Sequence, residues 1–359
     1  MEQLHNLTQF ACNILKEMLQ IESYSFNEGK RADFLCNILS GAFKEYKGVV
    51  IERIENNILL YNKDTYSTNK KTLMLNSHID TVTPASTYTF NPHSPFEKDG
   101  AIYGLGSNDD GGSVVSQIAA FMHLCNSNLN VNLVLLLSAE EERSGANGIA
   151  LALNKMEIKP DFAIIGEPTG MKAAIAERGL LVIDGTATGV SGHAAREEGV
   201  NALYIALDDI NTLRNFNFDK VSPVMGKVKL SVTQLNCGTV HNVVPDKATF
   251  VVDIRPTEQY TNPEIMELLQ KEVKSELKAR NLNNRSSATQ KGSILYNTTL
   301  ELGIEHFVSP TTSDWMKIEI PAIKIGPGES SRSHKADEFI KISEIESAIA
   351  GYINIIKHL

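Results

Sequence analysis

Short apolar runs alternate with helical patterns through the first half of the chain, and this alternation predicts crossover units around a largely parallel sheet. Four runs stand out: Thr72 to Asn76 (TLMLN), Val131 to Leu137 (VNLVLLL), Asp161 to Ile165 (DFAII) and Ala322 to Ile325 (AIKI). All but the first are continuous enough to predict strands buried on both faces. Apolar residues at helical spacing predict helices over about Gln3 to Leu19, Lys30 to Phe43, Gly112 to Cys125 and Ile342 to Ile356.

From Gly179 the pattern changes. A strand (LLVIDGTATG), a helix (NALYIALDDINTL), two strands (MGKVKLSVTQL and ATFVVDIRP), a helix near Asn262 to Lys274 and a weak last strand near Glu276 to Asn284 follow in turn. That order is the split βαβ arrangement, an antiparallel layer with its own core. The expected fold class is therefore α/β: a mostly parallel mixed sheet flanked by helices, interrupted by a βαββαβ ferredoxin-like insert. The expected division is 1–178 and 288–359 for the first domain and 179–287 for the insert. Length agrees, since 359 residues exceed the roughly 250–300 at which a single core stops growing.

Composition changes the picture mainly by exclusion. A hydrophobic share of 42% and a charged share of 21% are those of an ordinary globular chain and leave no tract for disorder. A net charge of −9 offers no basic face for nucleic acid, which binds by displacing counterions from phosphates. The N-terminal MEQLHNLTQFACNILKEML mixes polar and apolar residues at helical spacing, unlike a signal peptide. No stretch approaches the ~20 apolar residues needed to cross a bilayer. A cytoplasmic chain without membrane contact is expected. Its four cysteines, Cys12, Cys36, Cys125 and Cys237, are then expected as buried thiols rather than disulfides or a zinc knuckle.

The chemistry sits where the strands stop. Ser77-His78-Ile79-Asp80 follows TLMLN, Glu140-Glu141-Glu142 follows VNLVLLLSA, and Glu167-Pro168-Thr169 follows FAIIG. Open α/β sheets bind ligands at this carboxyl edge. A Gly-rich turn bearing Asp109 and Asp110 runs into the helix at Gly112, and Ser333-His334-Lys335 follows the AIKI strand. Each cluster alone has a plainer reading as a hydrogen-bonded histidine, a solvated acidic loop or a helix cap. Together at one edge they would repel one another unless a cation offset their charge. Two histidines and several carboxylates without a thiolate suit zinc, cobalt or manganese.

In their order, His78-x-Asp80, the Gly-x-Gly-x-x-Asp109 turn, the Glu-Glu pair, Gly-Glu167-Pro-Thr and the late His334 are similar to the family of co-catalytic zinc aminoacylases and carboxypeptidases. That family includes acetylornithine deacetylase, succinyl-diaminopimelate desuccinylase, aminoacylase and glutamate carboxypeptidase. The resemblance runs from about His78 to His334, insert included. It implies two Zn2+ per chain, with Co2+ or Mn2+ as possible substitutes: His78 and Glu167 on one ion, Glu142 and His334 on the other, Asp109 between them. It implies Glu141 as general base and Asp80 as the hydrogen-bond partner that fixes the His78 tautomer. Glu140 stands where relatives usually carry Asp. The insert resembles a lid and dimerisation domain, in which His193 would reach the active site of a partner copy and stabilise the oxyanion. Asn242 and Arg255 match positions that hold a substrate carboxylate, and Thr312 and Ser313 match a further loop near the substrate. A homodimer and a small N-acyl amino acid or dipeptide substrate follow from the same resemblance. The segment from Pro327 to Glu338 looks most like the acetylornithine deacetylase branch of arginine biosynthesis. Acetylcitrulline, succinylornithine and succinyl-diaminopimelate are alternative substrates, a dipeptidase or aminopeptidase is the alternative enzyme, and a non-catalytic binding protein is a more distant alternative. One departure stands out: Leu105 and Gly111 replace the Arg and Lys that relatives commonly carry in the Asp109 turn.

Overall fold

The computed structural model describes residues 2–196 and 198–359. The chain divides into two compact units, one of Met1–Ile175, Thr289–Phe307 and Ser313–Leu359, the other of Ala176–Ala288 and Val308–Thr312. The breaks at 175/176 and 288/289 stand beside the expected 178/179 and 287/288, and the short piece Val308–Thr312 groups with the second unit.

In the first unit the strands lie in the order Val49–Ile54, Asn57–Asn62, Asn132–Ser138, Thr72–His78, Phe162–Ile165, Ala322–Lys324 and Ala173–Glu177, the last of which continues into the second unit. Thr72–His78 pairs in parallel with Asn132–Ser138 on one side and Phe162–Ile165 on the other, and Ala322–Lys324 runs parallel to Phe162–Ile165. The hairpin Val49–Ile54/Asn57–Asn62 adds an antiparallel margin. Because four parallel strands end at one edge, the residues that follow them are delivered to the same side of the sheet.

Strand residues alternate between two cores, as the period of two requires. Leu73, Leu75, Leu133, Leu135 and Leu137 face the larger core, formed with the helices Glu2–Leu19, Gly29–Ala42, Gly112–Leu124 and Ile342–Lys357. Met74, Val134 and Leu136 face a smaller one with Ile149, Ala152, Trp315 and Ile318. Glu2–Leu19 buries Ala11, Ile14, Leu15 and Met18, and Ile342–Lys357 buries Ile345, Ala348, Ile349 and Tyr352, each a stripe at spacings of three and four. The helix Gly112–Leu124 is buried almost all round, which its small and apolar sequence GSVVSQIAAFMHL permits.

One expectation needs correction. TLMLN is not less buried than the other runs: Thr72–His78 is buried along its whole length because it lies between two parallel neighbours. Its polar end is satisfied internally, with Asn76 Nδ2 donating to the Leu136 carbonyl at 3.1 Å and to Ser138 Oγ at 2.9 Å.

The second unit has the strand order Lys229–Cys237, Lys247–Arg255, Leu181–Thr188, Glu276–Ala279, with antiparallel pairings throughout. The helices Ala202–Asn215 and Asn262–Glu272 contribute Ala206, Leu213, Ile265 and Leu269 to the core under this sheet. Lys247–Arg255 alternates between buried and half-exposed positions, as a strand with one covered face must. Asn262–Glu272 starts at a capping box made by Thr261 and Glu264. The last strand spans only Glu276–Ala279, shorter than the pattern to Asn284 suggested. All four cysteines are free: Cys12 and Cys125 are buried as expected, while Cys36 and Cys237 are only half-buried. Among the described residues no helix is long and apolar enough to cross a membrane.

Candidate metal centre

His78 is the last residue of Thr72–His78 and is 3% exposed. Its Nδ1 lies 3.0 Å from the Asp80 carbonyl oxygen, which can only accept, so Nδ1 carries the hydrogen and Nε2 presents a lone pair. That Nε2 faces Asp109 Oδ1 at 3.2 Å. Two acceptors in this relation are reconciled by a proton or by a metal ion.

Asp109 reaches this position from a turn that enters the helix Gly112–Leu124. The turn closes through Gly106 at φ +79°, where a Cβ would lie 2.5 Å from Thr81 Cγ2. The Asp109–Asp110 peptide is cis. While Oδ1 of Asp109 faces His78, Oδ2 lies 3.7 Å from His334 Nε2. His334 Nε2 is also 3.0 Å from the Glu142 carboxylate. Asp109 thus lies between the two imidazoles with one oxygen toward each, the disposition of a carboxylate shared by two ions.

Donor atoms of His78, Asp109 and Glu142 lie within 4.8 Å of one another, and so do those of His78, Glu141 and Glu167. Like charges about 4 Å apart repel by about 4 kcal/mol at an effective dielectric constant of about 20. Burial raises the Glu141 carboxyl well above its ordinary value; the charge of His78 opposes this, and Glu167, Glu142 and Asp314 add to it. Glu167 is raised by burial as well, against the opposing charge of Lys324, which is 1% exposed. Burial pushes Asp314 up to about 6, although the Ser138 hydroxyl donates to it at 2.5 Å. For His78 burial works downward, but the carboxylates of Asp109 and Asp80 outweigh it and hold the imidazole well above its usual value. A hydrogen bond to Glu142 lifts His334 to about 9. All these shifts express one deficit of positive charge. The residues present, imidazole nitrogen and carboxylate oxygen at mutual coordinating range, fit a pair of divalent ions.

Asp80 does more than orient an imidazole. Its Oδ1 is 3.4 Å from His78 Nδ1 and accepts the Glu141 backbone N–H at 3.0 Å, while Oδ2 accepts that of Glu142 at 3.1 Å. One carboxylate therefore ties the His78 strand end to the turn carrying Glu141 and Glu142. Glu140 opens that turn at φ +59°, and its carboxylate accepts from the backbone and side chain of Asn147, both at 2.9 Å.

Sequence reasoning missed the support behind these groups. Ser25 Oγ donates to Asp80 Oδ2 at 2.7 Å, and the Glu140 backbone N–H donates to Glu28 Oε1 at 3.2 Å. Ser25-Phe-Asn-Glu28 before a helix has the form of a capping box. Here Ser25 instead braces Asp80, and Glu28 holds the Glu140 N–H together with the Phe26 N–H and the Asn56 amide; the S-x-x-E spacing was the available signal.

In the second unit His193 and Asn242 are neighbours: the strand pair Gly192–His193/Val243–Val244 sets them side by side, and the Ala194 N–H donates to the Asn242 carbonyl at 3.1 Å. Arg255 is not with them. It ends the strand Lys247–Arg255, which spans about 26 Å at ~3.3 Å per residue, and its guanidinium is paired with Asp253 through bonds of 2.8 and 3.1 Å. Thr312 falls in the second unit and is half-buried. Ser313 is fully buried, and its hydroxyl accepts the Trp315 N–H at 3.3 Å to cap the turn Asp314–Lys317. At Gly111 a Cβ would meet the Gly106 carbonyl oxygen at 2.4 Å and Leu15 Cδ1 at 2.7 Å, so this packing has no space for a lysine there. Leu105 is buried likewise.

Residues 74–358 match the family model described as Peptidase family M20/M25/M40. The chain is 30% identical over 295 residues to acetylornithine deacetylase of Proteus mirabilis, covering 76% of each chain. It is 28% identical over 272 residues to succinyl-diaminopimelate desuccinylase of Sulfurimonas denitrificans, covering 72% of each. Its fold matches an M20 family metallo-carboxypeptidase from Sulfolobus solfataricus with a TM-score of 0.72 at 20% identity, over 97% of this chain and 98% of that one.

Proposed function

Since this chain belongs to peptidase family M20/M25/M40, and is thus a metal-dependent hydrolase of amide bonds, we propose that it removes the acyl group from an N-acyl-L-amino acid, N-acetylornithine before others. The observation that carries the reading is the convergence of His78, Asp109, Glu141, Glu142, Glu167 and His334 at one sheet edge. The likeness to acetylornithine deacetylase over 76% of the chain supports the substrate. N-acetylcitrulline and N-succinylornithine offer the same scissile amide. A desuccinylase is the second reading, favoured by the 28% identity to succinyl-diaminopimelate desuccinylase.

In this proposal the ions are zinc, with cobalt or manganese able to substitute. His78 and Glu167 would hold one, Glu142 and His334 the other, and Asp109 would serve both. Two such ions, when bound, polarise the amide carbonyl and bring the pKa of water from about 15.7 to about 7. Glu141 accepts the proton of the attacking water and returns it to the departing amine. Burial and its acidic neighbours raise its affinity for a proton. Asp80 keeps the Nε2 lone pair of His78 directed inward and holds the Glu141 turn in place.

His193, Asn242 and Arg255 complete the substrate site across a homodimer. The pairing that sets His193 beside Asn242 supports a shared role for those two residues, and a second copy would complete the site. The edge strand Lys229–Cys237 and the exposed Tyr204, Leu207 and Leu235 offer a surface for that copy.

A panel of N-acyl amino acids and dipeptides, assayed for amine release with and without chelator, tests the reading. Chelator-sensitive release from N-acetylornithine above all others supports it. Release from dipeptides with N-acyl amino acids untouched makes the chain a peptidase instead.

A further inference from the structure

Glu338 lies outside the donor set, is 3% exposed, and accepts three backbone N–H groups from the turn that carries Asp109. Its Oε2 takes the Gly106 N–H at 2.9 Å, and its Oε1 takes those of Asn108 at 2.8 Å and Asp109 at 2.9 Å. The Glu338 carbonyl also accepts from the Gly104 N–H at 3.0 Å. Asn108 returns the connection: its Nδ2 reaches Ser333 Oγ at 3.3 Å and the Glu329 carbonyl at 3.1 Å, and its Oδ1 accepts the Glu329 N–H at 3.0 Å. The two segments joined in this way carry Asp109 and His334.

We infer that Glu338 is a positioning residue that sets the spacing between Asp109 and His334, and hence the affinity of the pair of ions that Asp109 would serve. The inference rests on the two-ion reading above. Its physical basis is acceptor geometry. A carboxylate has an acceptor on both oxygens and serves all three N–H groups, whereas the Gln amide has one acceptor oxygen and turns an NH2 toward whichever N–H it no longer serves. A buried donor left unpaired is costly, so the turn would move, and Asp109 with it. Groups that orient ligands in this indirect way typically govern about 10–100-fold in metal affinity or activity.

The test is release of Zn2+ to a chromophoric chelator from the full-length chain, wild type against Glu338→Gln, with kcat and KM measured in parallel. Asp209→Asn serves as control: Asp209, 4% exposed in the second unit, accepts the backbone N–H groups of Lys274 and Ser275 at 3.1 and 2.7 Å. The expected result is that Glu338→Gln releases zinc about 10–100-fold faster, with kcat reduced and KM nearly constant, while Asp209→Asn releases it as wild type does. If Glu338→Gln does not fold, Asn108→Ala carries the test, with the same faster release expected to a lesser degree. Release at the wild-type rate from whichever variant folds, or equal acceleration in Asp209→Asn, overturns the inference. A wild type that binds no zinc overturns the two-ion reading and this inference with it; a wild type with two ions and indifferent variants overturns this inference alone.

Discussion

Glu141 and Glu142 are adjacent in the chain and fall in different donor groups, Glu142 with His78 and Asp109 and 3.0 Å from His334, Glu141 with His78 and Glu167. The proposal gives Glu142 the part of ligand and Glu141 that of general base. Glu141→Gln is expected to retain two ions per chain and lose about 10²–10⁴ in kcat, the usual contribution of a general base. Glu142→Gln is expected to lose one ion by elemental analysis. If both variants hold two ions and hydrolyse normally, the acidic triplet has been assigned wrongly. Asp80→Asn should weaken metal binding by about 10–100-fold, because the amide cannot accept from both the Glu141 and Glu142 N–H groups while also serving Ser25; unchanged binding would reduce Asp80 to a bystander. Most of the residues readable from sequence stand in a local motif at a strand end or just before a helix, as His78, Asp109, Glu141, Glu142 and Glu167 do. Ser25, Glu28 and Glu338 escaped because their partners lie 55, 112 and about 230 residues away. The Arg255–Asp253 pair was within reach, since residues two apart on a strand share a face.

Four parallel strands and the helix Gly112–Leu124 hold these side chains. The apolar runs marked the strands correctly, but a run's own composition said little about its place in the sheet, which is why Thr72–His78 was undervalued: its burial comes from neighbours contributed by residues 132–138 and 162–165. The antiparallel hairpin Val49–Ile54/Asn57–Asn62 was not anticipated, although its second strand carries the apolar run Ile58-Leu59-Leu60-Tyr61. Packing at the entrance of Gly112–Leu124 is tight enough to predict an outcome. Restoring the family's lysine by Gly111→Lys should destabilise the first unit by about 1–3 kcal/mol through overpacking, read as a lower Tm with metal bound. An unchanged or raised Tm would mean that the turn can open to admit the side chain, contrary to the contacts at Leu15 and Gly106.

At the scale of the whole chain, an acidic cluster at the sheet edge should make the folded state depend on its cations. Ions present at about 100 times their Kd stabilise by about 2.7 kcal/mol per site, so removing them with chelator should lower Tm and zinc should restore it. A Tm indifferent to chelator would indicate that protons alone settle the cluster. The insert was recognisable from its element order because βαββαβ is a recurring motif with its own hydrophobic periodicity; the proposed homodimer came from the family resemblance alone, since a chain's own periodicity says nothing of its partner. Replacing Tyr204 and Leu207, 66% and 46% exposed, by Glu should convert a dimer into monomers in sedimentation and lower kcat/KM. Dimers that persist, or monomers as active as wild type, would remove the role given to a second copy.

The central claim is that the donors of His78, Asp109, Glu142, Glu167 and His334 enclose two divalent ions. Native mass spectrometry of the purified chain, titrated with Zn2+ after chelation, counts them directly. The account predicts saturation at two ions per chain, with amine release from N-acetylornithine returning in step. Binding of none or one, or full hydrolysis by the metal-free chain, would contradict it.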